Sequence, residues 1–166
     1  MQGARVLIVD DEEGIRETLR AVLEDERCHV DTAENGQDAI AKSTAKFYNL
    51  GLVGVRLPDI DGVTLLASLG ETTPKMVKII ITGYPSLESA IDAVNNGADG
   101  YIVKPFNMES LLRTIDEHLR KQLEAKKSGV EKVKEYVESR VKEQESKTSR
   151  RGRPRTRSND IGLDVT

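Results

Sequence analysis

Five times in succession a short apolar, β-branched run is followed by a segment with helical periodicity, and no other feature of the 166-residue chain restricts its fold as strongly. The runs fall at residues 5–9, 29–33, 50–55, 77–81 and 101–103; the helical segments fall at 15–23, 37–45, 63–69, 87–95 and 108–123. Strands joined through helices lie parallel in one sheet. The first, third and fourth runs are apolar almost throughout, which suits strands covered on both faces, because right-handed crossovers place helices on each side of the sheet.

The fold class this predicts is α/β: a doubly wound, five-stranded parallel sheet of flavodoxin-like type, occupying residues 1–123. Punctuation agrees with it. Asn35-Gly36 opens the second helix, Asp61-Gly62 the third and Ser86 the fourth, which Asn96-Gly97 ends. Beyond residue 123 the pattern changes. Lys126-Lys127-Ser128-Gly129 is expected to interrupt the helix. Val130, Val133, Val137 and Val141 then form a thin apolar stripe on a charged amphipathic helix over 124–145. A marginal surface helix and self-association into a homodimer are both open readings of that stripe. Residues 146–166 are rich in Ser, Thr, Arg, Gly and Pro and are expected to be a basic disordered tail.

Charge divides the chain at about the same place. Residues 1–125 carry 13 Lys and Arg against 21 Asp and Glu, a net of −8, and residues 126–166 carry 12 against 7, a net of +5. A basic tail suits an anionic partner such as nucleic acid, or is merely a solvated segment. Cys28 is the only cysteine, which excludes an intramolecular disulfide and a cysteine-rich zinc site. No apolar stretch approaches the length of a membrane span, and the N-terminus enters a strand pattern with no basic leader, so a soluble, cytoplasmic protein without membrane contact is expected.

Ligands of open parallel sheets bind beyond the carboxyl ends of the strands, near the point where strand order reverses. The polar residues of interest stand there. The first run ends in Asp10-Asp11, the third in Gly54-Val55-Arg56, the fourth in Thr82-Gly83 and the fifth in Lys104-Pro105-Phe106.

Four segments, Val9-Asp10-Asp11-Glu12, the run from Arg56 through Leu57-Pro58-Asp59-Ile60-Asp61 to Gly62, Ile81-Thr82-Gly83-Tyr84 and Lys104-Pro105-Phe106, resemble in order the signature segments of response-regulator receiver domains of two-component systems, the CheY-like family. The resemblance covers roughly residues 6–123. It implies Mg2+-dependent transfer of a phosphoryl group from a histidine kinase to an aspartate at the end of the third strand. It further implies Asp11 as main acidic metal ligand, Asp10 as its partner, and Arg56 as donor of a backbone carbonyl. Lys104 and Thr82 would contact the phosphoryl oxygens, and Tyr101 would be the switch aromatic. The residue types suit that chemistry, since Mg2+ takes hard oxygen ligands and a phosphoryl group takes cationic and hydroxyl donors.

At the acceptor position, two residues before Arg56, the sequence has Gly54, which has no side chain to phosphorylate. Transfer onto an unexpected aspartate, Asp59, Asp61, Asp10 or Asp11, is the alternative, but Asp59 and Asp61 lie in the following loop, and Asp61 is better placed to cap a helix. Losing one carboxylate leaves Asp10, Asp11 and Lys104 at −1, so divalent-cation affinity should fall and Lys104 should close onto Asp10 or Asp11. The expectation is therefore a non-enzymatic, degenerate receiver that works by contact with a histidine kinase or another signalling protein, with weakened Mg2+ binding. Thr82 and Lys104 also fit a purely structural role, and Gly54 fits either simple drift of an unused acceptor or a pocket held in one locked state. A further possibility is DNA contact through residues 147–158, where Arg151-Gly152-Arg153-Pro154-Arg155 resembles an AT-hook core. His29 and His118 have no companion ligands and read as surface residues.

Overall fold

The apolar runs become the strands of a single sheet, and the amphipathic segments cover it. In the computed structural model, residues 1–70 and 74–151 are described, the last four of these as backbone only. The elements are β1 (Arg5–Val9), α1 (Glu13–Asp25), β2 (His29–Ala33), α2 (Gly36–Ala45), β3 (Leu50–Gly54), α3 (Gly62–Ser68), β4 (Val77–Thr82), α4 (Leu87–Asn95), β5 (Gly100–Val103) and α5 (Met108–Arg151). All pairings are parallel, in the order β2-β1-β3-β4-β5. This is the doubly wound, flavodoxin-like arrangement.

Every residue of β3 and β4 is buried, and β1 is buried beyond Arg5, as continuous apolar strands must be when both faces are covered. Alternate side chains divide between two cores. Val6, Ile8, Leu52 and Ile79 pack with Leu19 and Leu23 of α1 and with Leu111, Ile115 and Leu119 of α5. Leu7, Val9, Val53 and Ile80 pack with Ala39 of α2, Val63, Leu65 and Leu66 of α3, and Ala93 of α4.

The helix starts are fixed by the side chains that the sequence nominated. Asn35 accepts from the Asp38 amide at 2.8 Å, Asp61 from the Val63 amide at 2.8 Å and Ser86 from the Ser89 amide at 3.0 Å, each satisfying a donor that a first helical turn leaves unpaired. Gly97, just past the end of α4, takes a φ of +96°, the left-handed conformation that favours glycine after a helix.

The C-terminal region departs from expectation. α5 is continuous from Met108 to Arg151, with no break at Lys126-Lys127-Ser128-Gly129 and with helical backbone over 146–151, where disorder was expected. A lone Gly in an exposed helix costs only about 1 kcal/mol relative to Ala, and the Lys, Glu, Gln and Ala residues around it are strong helix formers. The chain divides into two compact units, Met1–Lys126 and a second beginning at Lys127. The AT-hook-like segment lies almost wholly outside the described residues.

Candidate functional site

Strand order reverses between β1 and β3, and the crevice this creates is a cavity of about 250 Å³ at the carboxyl ends of the central strands. Asp10, Asp11 and Glu12 enter it from the end of β1, Gly54, Val55 and Arg56 from β3, Thr82, Gly83 and Tyr84 from β4, and Lys104 from β5. Parallel strands deliver all four sets to one end of the sheet. That is why residues nearly a hundred positions apart meet.

Asp10 is the most enclosed charge in the pocket, its side chain 5% exposed. One carboxylate oxygen meets the Lys104 ammonium at 3.1 Å, and the other accepts from the Glu12 amide at 2.9 Å. Arg16 donates to the Asp10 carbonyl at 2.8 Å, pinning the backbone as well. Lys104 also lies 3.6 Å from the Glu12 carboxylate. Of the two acids that the sequence offered as partners for Lys104, its hydrogen-bonded ion pair is with Asp10.

Gly54 ends β3 directly beneath this pair. A Cβ placed on it would lie 2.9 Å from an Asp10 carboxylate oxygen and 3.4 Å from the Val9 carbonyl, so any side chain at 54 must displace Asp10. The returning loop is equally close. The Gly62 amide donates to the Val55 carbonyl at 2.7 Å, and a Cβ on Gly62 would overlap the Gly54 carbonyl, so glycine is required at 62 by close backbone approach.

Arg56 bridges back to Asp61 through the backbone, and its guanidinium stacks 3.6 Å above the Tyr84 ring, a cation–π contact that links the loop after β3 to the loop after β4. Thr82 is buried and accepts from the Tyr84 amide at 3.0 Å. Tyr101 is half-buried and is not among the residues lining the cavity. Its hydroxyl is 2.6 Å from the Ser89 hydroxyl, which ties β5 to α4.

The other acids near β3 are committed elsewhere. Asp61 caps α3, and Asp59 accepts from the Gly36 and Gln37 amides at 2.8 and 2.9 Å, fastening its loop to the start of α2. Those two amides, Gly36 first, hold the Asp59 carboxyl below its usual range. Neither acid lines the cavity.

One oxygen from each of Asp10, Asp11 and Glu12 lies within 4.8 Å of the others, a set of hard donors that fits a cation such as Mg2+. Glu12 and Tyr84 were not singled out from sequence. Adjacency was the available signal, since Glu12 directly follows the acidic pair and Tyr84 follows Thr82 by two. Counting the cavity's charged side chains, Asp10, Asp11 and Glu12 against Arg56 and Lys104, gives −1, the value expected from a smaller set. His29 is exposed as expected, but His118 is half-buried rather than on the open surface.

Known proteins of this architecture have related sequences. The family model for the response regulator receiver domain matches residues 6–116. The response regulator ArlR of Staphylococcus aureus is 35% identical over 118 residues, covering 71% of this chain and 53% of that protein. The chain thus spans about half the length of the curated relatives it matches. A CheY-like receiver domain protein from Methanospirillum hungatei superposes with a TM-score of 0.71 at 40% identity, covering 75% of this chain and 99% of the other. A Burkholderia pseudomallei response regulator, solved with a phosphorylated aspartic acid, calcium ion and citrate, superposes with a TM-score of 0.62 at 34% identity over 66% of this chain and 64% of its own. With the strand order, the crevice and its acidic and basic residues in agreement, the chain belongs to the response regulator receiver domain family of two-component systems.

Proposed function

We propose that this chain is a degenerate receiver: it signals by protein contact in the cytosol, is not an enzyme, and does not take up a phosphoryl group on an aspartate. One observation carries the reading. The end of β3, where the family's acceptor stands, is Gly54, and the Asp10 carboxylate, paired with Lys104, lies against the space a side chain there would need. Phosphoryl transfer depends on placing an oxygen nucleophile within a fraction of an ångström. The neighbouring Asp59 and Asp61 are held as helix caps outside the cavity.

Asp10, Asp11 and Glu12 would hold a divalent cation, with the Arg56 carbonyl as a further oxygen donor, and the cation would neutralise their mutual repulsion. Lys104 competes with it for Asp10. Affinity is therefore lower than in a receiver with an acceptor carboxylate. Thr82 and Lys104 are retained as strand-end hydrogen-bonding and ion-pairing groups.

The contact surface is the α4–β5 side. Leu87, Ile91 and Val94 recur at helical spacing on α4 and are 79%, 51% and 67% exposed, with Val103 of β5 at 42%. Glu88 and Asp92 share the helix, so the face fits an apolar surface with a basic rim, presented by a signalling protein of the histidine-kinase class. The test incubates the native chain with a small phosphodonor and Mg2+. It stays unmodified, while Ile91→Asp stays folded and loses retention of the kinase. An acyl phosphate on the native chain overturns the reading.

A further inference from the structure

We propose that the extension of α5 beyond Lys126 pairs antiparallel with the same segment of a second copy of this chain. Val130, Val133, Val137 and Val141 are 61%, 64%, 52% and 48% exposed, and Tyr136 beside them is 60% exposed. Their spacings of three, four and four put the valines on one stripe of the helix, within about 40° either side of its centre at 100° per residue. A lone valine on a surface needs no partner, but four in line on a charged helix do.

Charge selects the partner and its direction. By the same 100° rotation, Lys127, Lys134, Glu138 and Glu145 lie on one flank of the stripe, the two lysines toward the N-terminus and the two glutamates toward the C-terminus. In an antiparallel pair related by a twofold axis, each flank faces its own copy, reversed. Lys127 then meets the partner's Glu145 and Lys134 meets the partner's Glu138, and each contact occurs twice. In that register Val130 falls opposite the partner's Val141, and Val133 opposite the partner's Val137, within two residues. A parallel pair would oppose this flank to the other one, which carries Tyr136 and Arg140 and whose nearest acid, Glu143, is already paired with Arg140.

The side chains are free to make these contacts. Among the described residues Lys127, Lys134, Glu138 and Glu145 form no ion pair within the chain. Arg140 is turned along the other flank, with its guanidinium 5.3 Å from the Tyr136 ring centroid and 3.2 Å from Glu143. Valine is a middling helix former, so the stripe contributes little to an isolated helix and much to one with a partner.

Sedimentation equilibrium of the full chain over a concentration series tests this. A reversible monomer–dimer equilibrium is expected. Val137→Asp weakens it by about a hundredfold, since two buried apolar groups are replaced by charge. Lys134→Glu, which keeps helix propensity, weakens it by about tenfold, and Lys134→Glu combined with Glu138→Lys restores it, because opposite charges again face each other. Ile91→Asp on α4 leaves it unchanged. Circular dichroism confirms that the variants stay helical. A monomer at all concentrations, a dimer indifferent to Val137→Asp, a dimer abolished by Ile91→Asp, or failure of the charge swap to restore pairing would each overturn the proposal.

Discussion

Replacing Gly54 with aspartate gives the sharpest test of how this pocket is balanced. The new Cβ would sit 2.9 Å from an Asp10 oxygen, so Asp10 must swing away and its 3.1 Å contact with Lys104 must lengthen. Two carboxylates about 4 Å apart repel by about 4 kcal/mol at an effective dielectric constant of 20, and Lys104 between them offsets half or more. Without divalent cations the variant should therefore be about 1–3 kcal/mol less stable than the native chain, a fall of about 3–8 °C for a body of this size. Mg2+ reverses this. A cation present at a hundred times its dissociation constant stabilises the folded state by about 2.7 kcal/mol. The variant, with four carboxylates, reaches that point at lower concentration than the native chain with three. Thermal unfolding of both proteins across a Mg2+ series reads the two effects together. If Gly54→Asp is no less stable without metal, and its midpoint rises in parallel with the native one, the electrostatic account of the pocket is wrong.

Lys104→Met removes the cation from an almost fully buried carboxylate, and should cost about 2–4 kcal/mol in urea unfolding, with much of the loss recovered by adding Asp10→Asn. Arg56→Ala and Tyr84→Ala should each weaken the link between their loops, and a double-mutant cycle should return a coupling of about 0.5–1 kcal/mol for this exposed pair. The folded-state pKa of Asp59 is depressed by the Gly36 and Gln37 amides, so its stabilising effect is complete above the unfolded value of about 3.9 and disappears as pH falls through the lower folded value. Asp59→Asn should accordingly flatten the loss of stability below about pH 4, measured by acid titration of the unfolding midpoint.

Much of the architecture could be read from the chain because its signals are local. A strand buried on both faces is apolar almost throughout, and β1, β3 and β4 announce themselves in that way, Lys78 and Thr82 being the buried polar residues of β4. Asn35, Asp61 and Ser86 satisfy backbone donors two or three residues away, so the starts of α2, α3 and α4 are visible in sequence too. The helix through Ser128-Gly129 was not visible, because one Gly in a charged run looks like a breaker although its cost of about 1 kcal/mol is small beside the propensity of the strong helix formers around it.

The site divides along the same line. Sequence by itself determined which residue types stand at the strand ends and that Gly54 leaves no carboxylate among them, since both follow from position along the chain. Only the tertiary structure decided that Lys104 pairs with Asp10 rather than Asp11, that Glu12 joins the acidic set, that Arg56 stacks on Tyr84, and that Asp59 is spent on α2. The Lys104, Arg56 and Asp59 contacts join groups separated by a crossover or a loop, and the Glu12 contact depends on how the chain turns after β1; strand register and loop closure fix such distances where periodicity cannot.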